Sequence, residues 1–199
     1  MKNGNALFSV AQAQAYQQYL DDNYLSYLQT HVGQQFIKPD HLRYIEEGKA
    51  SLSPAAQALN KKISATNNTQ SFVNLLLSWV QSIPYNTLQD RQTTNGAGYL
   101  PPSLVLSNNQ GDCDSKSVLA ASLIRSVLPE VKMVMLYLPK HALLGININN
   151  NRRGRRLDIE GINYTLMEPT GPAELKLGNI ARSSEQAIAS KKYSYEIIP

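Results

Sequence analysis

Apolar residues recur first with the period of a helix and later with the alternation of strands. Over residues 8–28, Val10, Tyr16, Leu20, Tyr24, Leu25 and Leu28 fall near i, i+3/i+4 spacing, which predicts an amphipathic helix whose tyrosines form a packing face. Ser53-Pro54 reads as an N-cap followed by proline at the first helical position, predicting a short helix over 55–63 that ends at the polar Asn67-Asn68 turn. Thr69 is the expected cap of a third helix, with Phe72, Val73, Leu75, Leu76, Trp79 and Val80 on one face and its end ahead of Pro84. Residues 84–111 lose all periodicity and hold Pro84, Gly96, Gly98, Pro101, Pro102 and Gly111. Irregular stretches of that length in compact domains tend to carry function, and this one leads into the only cysteine.

Cys113 opens a largely apolar segment, with Val118, Leu119, Ala121, Leu123, Ile124, Val127 and Leu128, which predicts a buried helix with the cysteine at its N-terminus. Strand-like runs follow at 131–138 and 141–148, separated by Pro139-Lys140, and at 156–160, turning at Gly161 into 162–168. A last strand is expected over 193–198. Helices first and strands second give an α+β fold, with an antiparallel sheet packed on the cysteine-bearing helix. A single domain over 1–199 is expected, its first 68 residues helical.

Composition narrows the function classes. The 199 residues are 42% hydrophobic and 17% charged, proportions that suit a globular domain. No run approaches the roughly 18 apolar residues that cross a bilayer, so no membrane span is expected. The Ala6-Leu7-Phe8 run is shorter than the roughly 7–15 residues of an export signal's apolar core. Few charges and many Asn and Gln favour a periplasmic or secreted setting. The net charge of +4 concentrates at Arg152, Arg153, Arg155 and Arg156, read as a solvated hairpin tip; no aromatics interleave with it, so nucleic acid is not an expected partner. His31 and His41 stand in polar segments and are expected at the surface. One cysteine allows neither an internal disulfide nor a thiolate zinc site, and neither metal nor cofactor is expected.

The order of residues makes Cys113 more than a small buried hydrophobe. A thiol attacks as thiolate, and a helix N-terminus favours negative charge. His141, at the start of a strand, is the expected base that returns across the helix start. A carboxylate should then hold its imidazole in the working tautomer. Glu168, at the end of the 162–168 strand and followed by Pro169, is the preferred partner, with Asp158 the rival on the other side of the Gly161 turn. Asp112 and Asp114 read as cap residues of the helix start.

Gly111-Asp112-Cys113-Asp114-Ser115-Lys116-Ser117 resembles the Gly-Asp-Cys-(Asp/Glu)-(Asp/Ser)-Lys-(Ser/Ala) motif of transglutaminase-like domains. Val80-Gln81-Ser82-Ile83-Pro84-Tyr85 and Tyr99-Leu100-Pro101-Pro102 resemble that family's lead-in. Leu136-Tyr137-Leu138-Pro139-Lys140-His141-Ala142 resembles its histidine strand, and Met167-Glu168-Pro169-Thr170 the end of its acidic strand. The likeness spans roughly 69–171, leaving 172–199 as a tail, and departs from the family at Glu168, where Asp is usual. It implies a papain-like core in which Cys113 forms a thioester from the amide carbonyl of a protein or peptide, resolved by water or an amine. It also implies an oxyanion site at the Cys113 amide with a side-chain donor, for which Gln81 is the candidate and Trp79 and Tyr85 the competitors. The alternative it leaves is a catalytically silent binding or scaffold module of the same fold.

Overall fold

The structure is a computed structural model that describes residues 39–62, 68–88, 98–148 and 154–199, all within one compact unit, Pro39–Pro199. The helix expected over 8–28, His31, Arg152 and Arg153 lie outside the described residues. The fold is α+β: among the described residues, five helices accompany a five-stranded antiparallel sheet. No described helix is long and apolar enough to cross a membrane.

Helix α1, His41–Lys61, starts at Asp40, whose side chain accepts from the Arg43 amide at 3.0 Å. It runs straight through Ser53-Pro54, so the expected start there is corrected. Pro54 lies on the exposed side, while Ile45, Gly48, Leu52 and Ala56 keep a buried stripe at helical spacing on both sides of it. Burial of that stripe outweighs the backbone hydrogen bond that proline cannot make. Helix α2, Thr69–Ser82, is capped by Asn68 rather than Thr69, through a 2.8 Å hydrogen bond from the Gln70 amide, and ends ahead of Pro84 as expected. Within the stretch read as irregular, Pro102–Asn108 forms a short helix, α3, entered through Pro101-Pro102 and closed by Asn109 in the left-handed region at φ 47°.

Helix α4, Cys113–Val127, is the centre of the packing. Every residue from Ser115 to Arg125 is buried, which suits a helix apolar on most sides and packed against α1, α2 and α3 at once. It approaches α1 most closely at Gly48, where a Cβ would stand 2.7 Å from Ser122 Oγ. Its two buried cations turn to backbone carbonyls: Arg125 reaches Pro129, Val131, Ile198 and Pro199, and Lys116 reaches Ile83 and Thr170.

The strands are β1 (Met133–Leu138), β2 (His141–Ile146), β3 (Arg156–Ile159), β4 (Ile162–Met167) and β5 (Ser194–Ile198), in spatial order β3-β4-β2-β1-β5. β1 and β2 form a hairpin closed at Pro139-Lys140, with Leu138 opposite His141 and Lys140 at φ 62°. Central β1 is buried on both faces. Met133, Met135 and Tyr137 join the core under the helices, while Val134, Leu136 and Leu138 join a second core that takes in Ile159, Tyr164 and Leu166. A helix that the sequence did not announce, α5 (Arg182–Ala189), covers this second core with Ala187 and Ile188. The sheet is therefore sandwiched between four helices on one side and α5 on the other.

Candidate active site

The lead-in to Cys113 is fixed before the cysteine appears. Gly111 donates to the Pro84 carbonyl and accepts from the Asn86 amide, both at 3.2 Å, pairing Tyr85 with Gly111 as a parallel bridge. Asp112 then caps α4 through the Ser115 amide, and Ser115 Oγ accepts from the Leu100 amide at 2.8 Å. These contacts converge the 84–86, 98–101 and 111–115 segments on the start of α4, with Cys113 partly exposed there.

Around the sulfur, the charge balance differs from what helix position alone suggests. Burial pushes the Cys113 thiol well above its ordinary range, and the carboxyls of Asp114 and Asp112 push it further; amides of Ala142 and Asp114 pull the other way without prevailing. Asp114 Oδ1 accepts from the thiol at 3.9 Å. Asp112, buried beside Asp114, is itself pushed up to about 9. Cys113 thus rests as a protonated thiol, because desolvation and two neighbouring acids outweigh the helix N-terminus.

His141 opens β2, and the backbone amide of its neighbour Ala142 reaches the sulfur. His141 Nε2 contacts Glu168 Oε1 at 2.8 Å, which leaves Nδ1 as the ring nitrogen outside that contact. Glu168 is held in turn: its Oε2 accepts from the Ala181 amide at 2.7 Å and from Ser184 Oγ at 3.3 Å. Burial alone would raise the Glu168 carboxyl, but the bonds from His141, Ala181 and Ser184 win and hold it below the usual carboxylate range. The register explains why glutamate serves. Leu144 pairs with Met167, and one further step sets Glu168 beside Leu143, two residues from His141 on the same face. That diagonal separation, about 7–8 Å between backbones, favours the longer side chain. Asp158 is out of the contest; it is exposed on β3 and caps the Gly161 amide.

Of the three side chains considered for oxyanion or substrate contact, the structure brings one to the sulfur. Gln81 is not at a solvated helix end, nor are its protons available to an oxyanion: it is 3% exposed, and Nε2 donates to the carbonyls of Glu168 and Leu175, each at 2.9 Å. Its role is to clamp the backbone that carries Glu168, and Gly171, at φ +68°, passes so close that any Cβ would run into the Gln81 carbonyl. Trp79 packs against the helix-side core. Tyr85 stands beside Cys113, Asp112 and Asp114; it is half exposed, and burial of its hydroxyl with those three neighbours pushes it up to about 12, so it keeps its proton at neutral pH and can donate a hydrogen bond.

The largest correction concerns His41, expected at the surface. It is 1% exposed, with Nδ1 2.8 Å from the Tyr137 hydroxyl and Nε2 3.4 Å from Asp114 Oδ2. The spacing of His41, Ile45, Gly48, Leu52 and Ala56 carried the signal, since it places His41 on the buried stripe. Lys116 is the other buried group of the motif. Desolvation lowers it to about 8, and its ammonium pins Ile83, before Tyr85, to Thr170, after Glu168. Arg155, in the basic stretch, pairs with Glu185 at 2.7 Å. Among the described residues, no three His, Cys, Asp or Glu side chains gather as a metal-binding set.

Comparison with known proteins finds no match for the chain among family models, curated proteins or solved structures.

Proposed function

We propose that the chain is a cysteine-dependent acyl-transfer enzyme of the transglutaminase-like kind, with a papain-like core and Cys113, His141 and Glu168 as its reacting triad. The observation that carries this reading is the 2.8 Å His141–Glu168 contact, because Glu168 is locked by two further donors and so holds the imidazole through Nε2. His141 Nδ1 takes the thiol proton as Cys113 Sγ attacks an amide carbonyl carbon. The C–S bond forms, the C–N bond breaks, and the imidazolium returns its proton to the leaving amine. Water or a second amine then gives a proton to His141, attacks the thioester and releases the thiol. Negative charge on the carbonyl oxygen is met by the Cys113 amide at the start of α4 and by the Tyr85 hydroxyl. A protein or peptide amide is the substrate class, with no cofactor in the chemistry.

A specific observation favours the silent scaffold as second reading: the environment of Cys113 raises its thiol rather than lowering it. Mass spectrometry of wild type, Cys113→Ala and His141→Ala, incubated with peptide amides and with or without an amine acceptor, separates the two. Turnover by wild type that falls by about 10²–10⁴-fold in His141→Ala supports the enzyme. No acyl adduct and no product from wild type, with every fold intact, leaves the scaffold.

A further inference from the structure

Behind the sulfur, a buried chain of polar side chains leads from Asp114 to the edge strand β5. Asp114 Oδ1 lies 3.9 Å from Cys113 Sγ, and its Oδ2 is 3.4 Å from His41 Nε2. His41 Nδ1 is 2.8 Å from the Tyr137 hydroxyl, which donates to Glu196 Oε2 at 2.6 Å. The His41 side chain is 0% exposed and Asp114 20%. Its ring lies between those of Tyr99, 5.2 Å away, and Tyr137, 5.7 Å away, with Tyr44 against Tyr99 on the far side. Among the described residues, the groups that face His41 include Asp114 from α4, Tyr137 from β1 with Glu196 of β5 behind it, and Tyr99 from the segment before α3.

Proton arithmetic gives this arrangement a purpose. The Tyr137 hydroxyl has one proton, and the short bond to a carboxylate claims it, so the hydroxyl accepts from His41 Nδ1–H. His41 Nε2 then faces the Asp114 carboxyl, so a proton on that nitrogen sets an imidazolium against the carboxylate. Without His41, the Asp114 carboxylate would oppose ionisation of the thiol with no cation from α1 to offset it.

We infer that His41 is a second histidine of this site, a positioning residue whose protonated ring offsets the charge of Asp114 and so eases ionisation of Cys113, under the control of Tyr137 and Glu196. The inference rests on the proposed role of Cys113 as nucleophile and adds a regulator supplied by the helix that precedes the motif. Buried on the opposite side of Asp114 from solvent, His41 touches no substrate. Its effect is on the proton affinity of the sulfur.

The test is the pH profile of Cys113 alkylation by iodoacetamide in the full chain. In His41→Gln, the alkylation midpoint should rise by about one pH unit, making the reaction about tenfold slower below both midpoints. Adding Asp114→Asn to His41→Gln should bring the midpoint back to or below that of wild type, which simple loosening of the fold would not do. Tyr137→Phe, which keeps the ring and removes the acceptor of His41, should raise the midpoint by a smaller amount. Coincident profiles for wild type and a folded His41→Gln overturn the inference; if that variant does not fold, coincidence of wild type with Tyr137→Phe overturns it. Alkylation reads ionisation and not turnover, so the result stands apart from the peptide and amine assay. A shifted profile with no turnover would sink the enzyme reading alone, and turnover with coincident profiles would sink this one alone.

Discussion

At the scale of single residues, the balance of burial against hydrogen bonding decides each group's protonation, and the sign of each pH effect follows. The folded state holds Glu168 below its unfolded value of 4.5. Its stabilising contribution is therefore fully present above about pH 4.5 and disappears as pH falls through the lower folded value. Glu168→Gln should unfold at lower urea than wild type at pH 7, with the difference between the two midpoints shrinking steadily in acid. Lys116 has the opposite sense. Desolvation lowers it from 10.5 to about 8, so the cost of burying its charge is complete below pH 8 and is relieved as pH rises toward 10.5. Lys116→Met removes that cost but strands the Ile83 and Thr170 carbonyls, each unpaired buried acceptor costing about 1–3 kcal/mol. Net destabilisation is expected in urea titrations, smallest at low pH, where the lysine's own burial cost in wild type is complete.

At the scale of elements, the helix crossing at Gly48 sets how near α1 comes to the cysteine helix. Gly48→Ala should cost about 1–3 kcal/mol by overpacking against Ser122, and Ser122→Ala in the same chain should recover part of it, since Oγ is the nearest obstacle. Thermal unfolding of the two single variants and the double variant checks this. The same scale shows what could be read from the chain directly. The strand runs and the Cys113 helix were legible because β-branched and large apolar residues cluster between clear turn signals at Pro139-Lys140 and Gly161. Glu168 was legible from its place at a strand end. Pro54 misled because proline is a strong local signal, whereas the stripe that overrides it needs α4 opposite to have meaning. Helix α5 was silent: Arg182–Ala189 has only Ala187 and Ile188 packed on the second core, too few apolar positions to set a period. His41 and Gln81 were misjudged for a related reason. A polar side chain looks solvated until its partners are known, and Tyr137, Asp114 and the Glu168 carbonyl come from distant segments.

For the molecule as a whole, the residues of the proposed site come from α4, β2 and the segment after β4, and other side chains brace those segments. Gln81 is the clearest case, with both amide protons on the backbone around Glu168. Gln81→Leu should weaken any acyl-transfer activity through kcat by about tenfold or more, since displacement by about 1 Å from reacting geometry carries costs of that order and beyond. Steady-state kinetics would show it as a kcat loss with KM little changed. Arg125 plays the equivalent part for the sheet, joining the end of α4 to Ile198 and Pro199 behind β5.

The strand order has a consequence during synthesis. β1, Met133–Leu138, pairs on one side with β2, which follows at once, and on the other with β5, which emerges only after β3, β4 and α5. A nascent chain therefore presents the flank of its most apolar strand, MVMLYL, unpaired for as long as those elements take to leave the ribosome. Slowed translation between His141 and Ser194 would lengthen that window and turn yield, rather than activity, into the property most sensitive to codon choice.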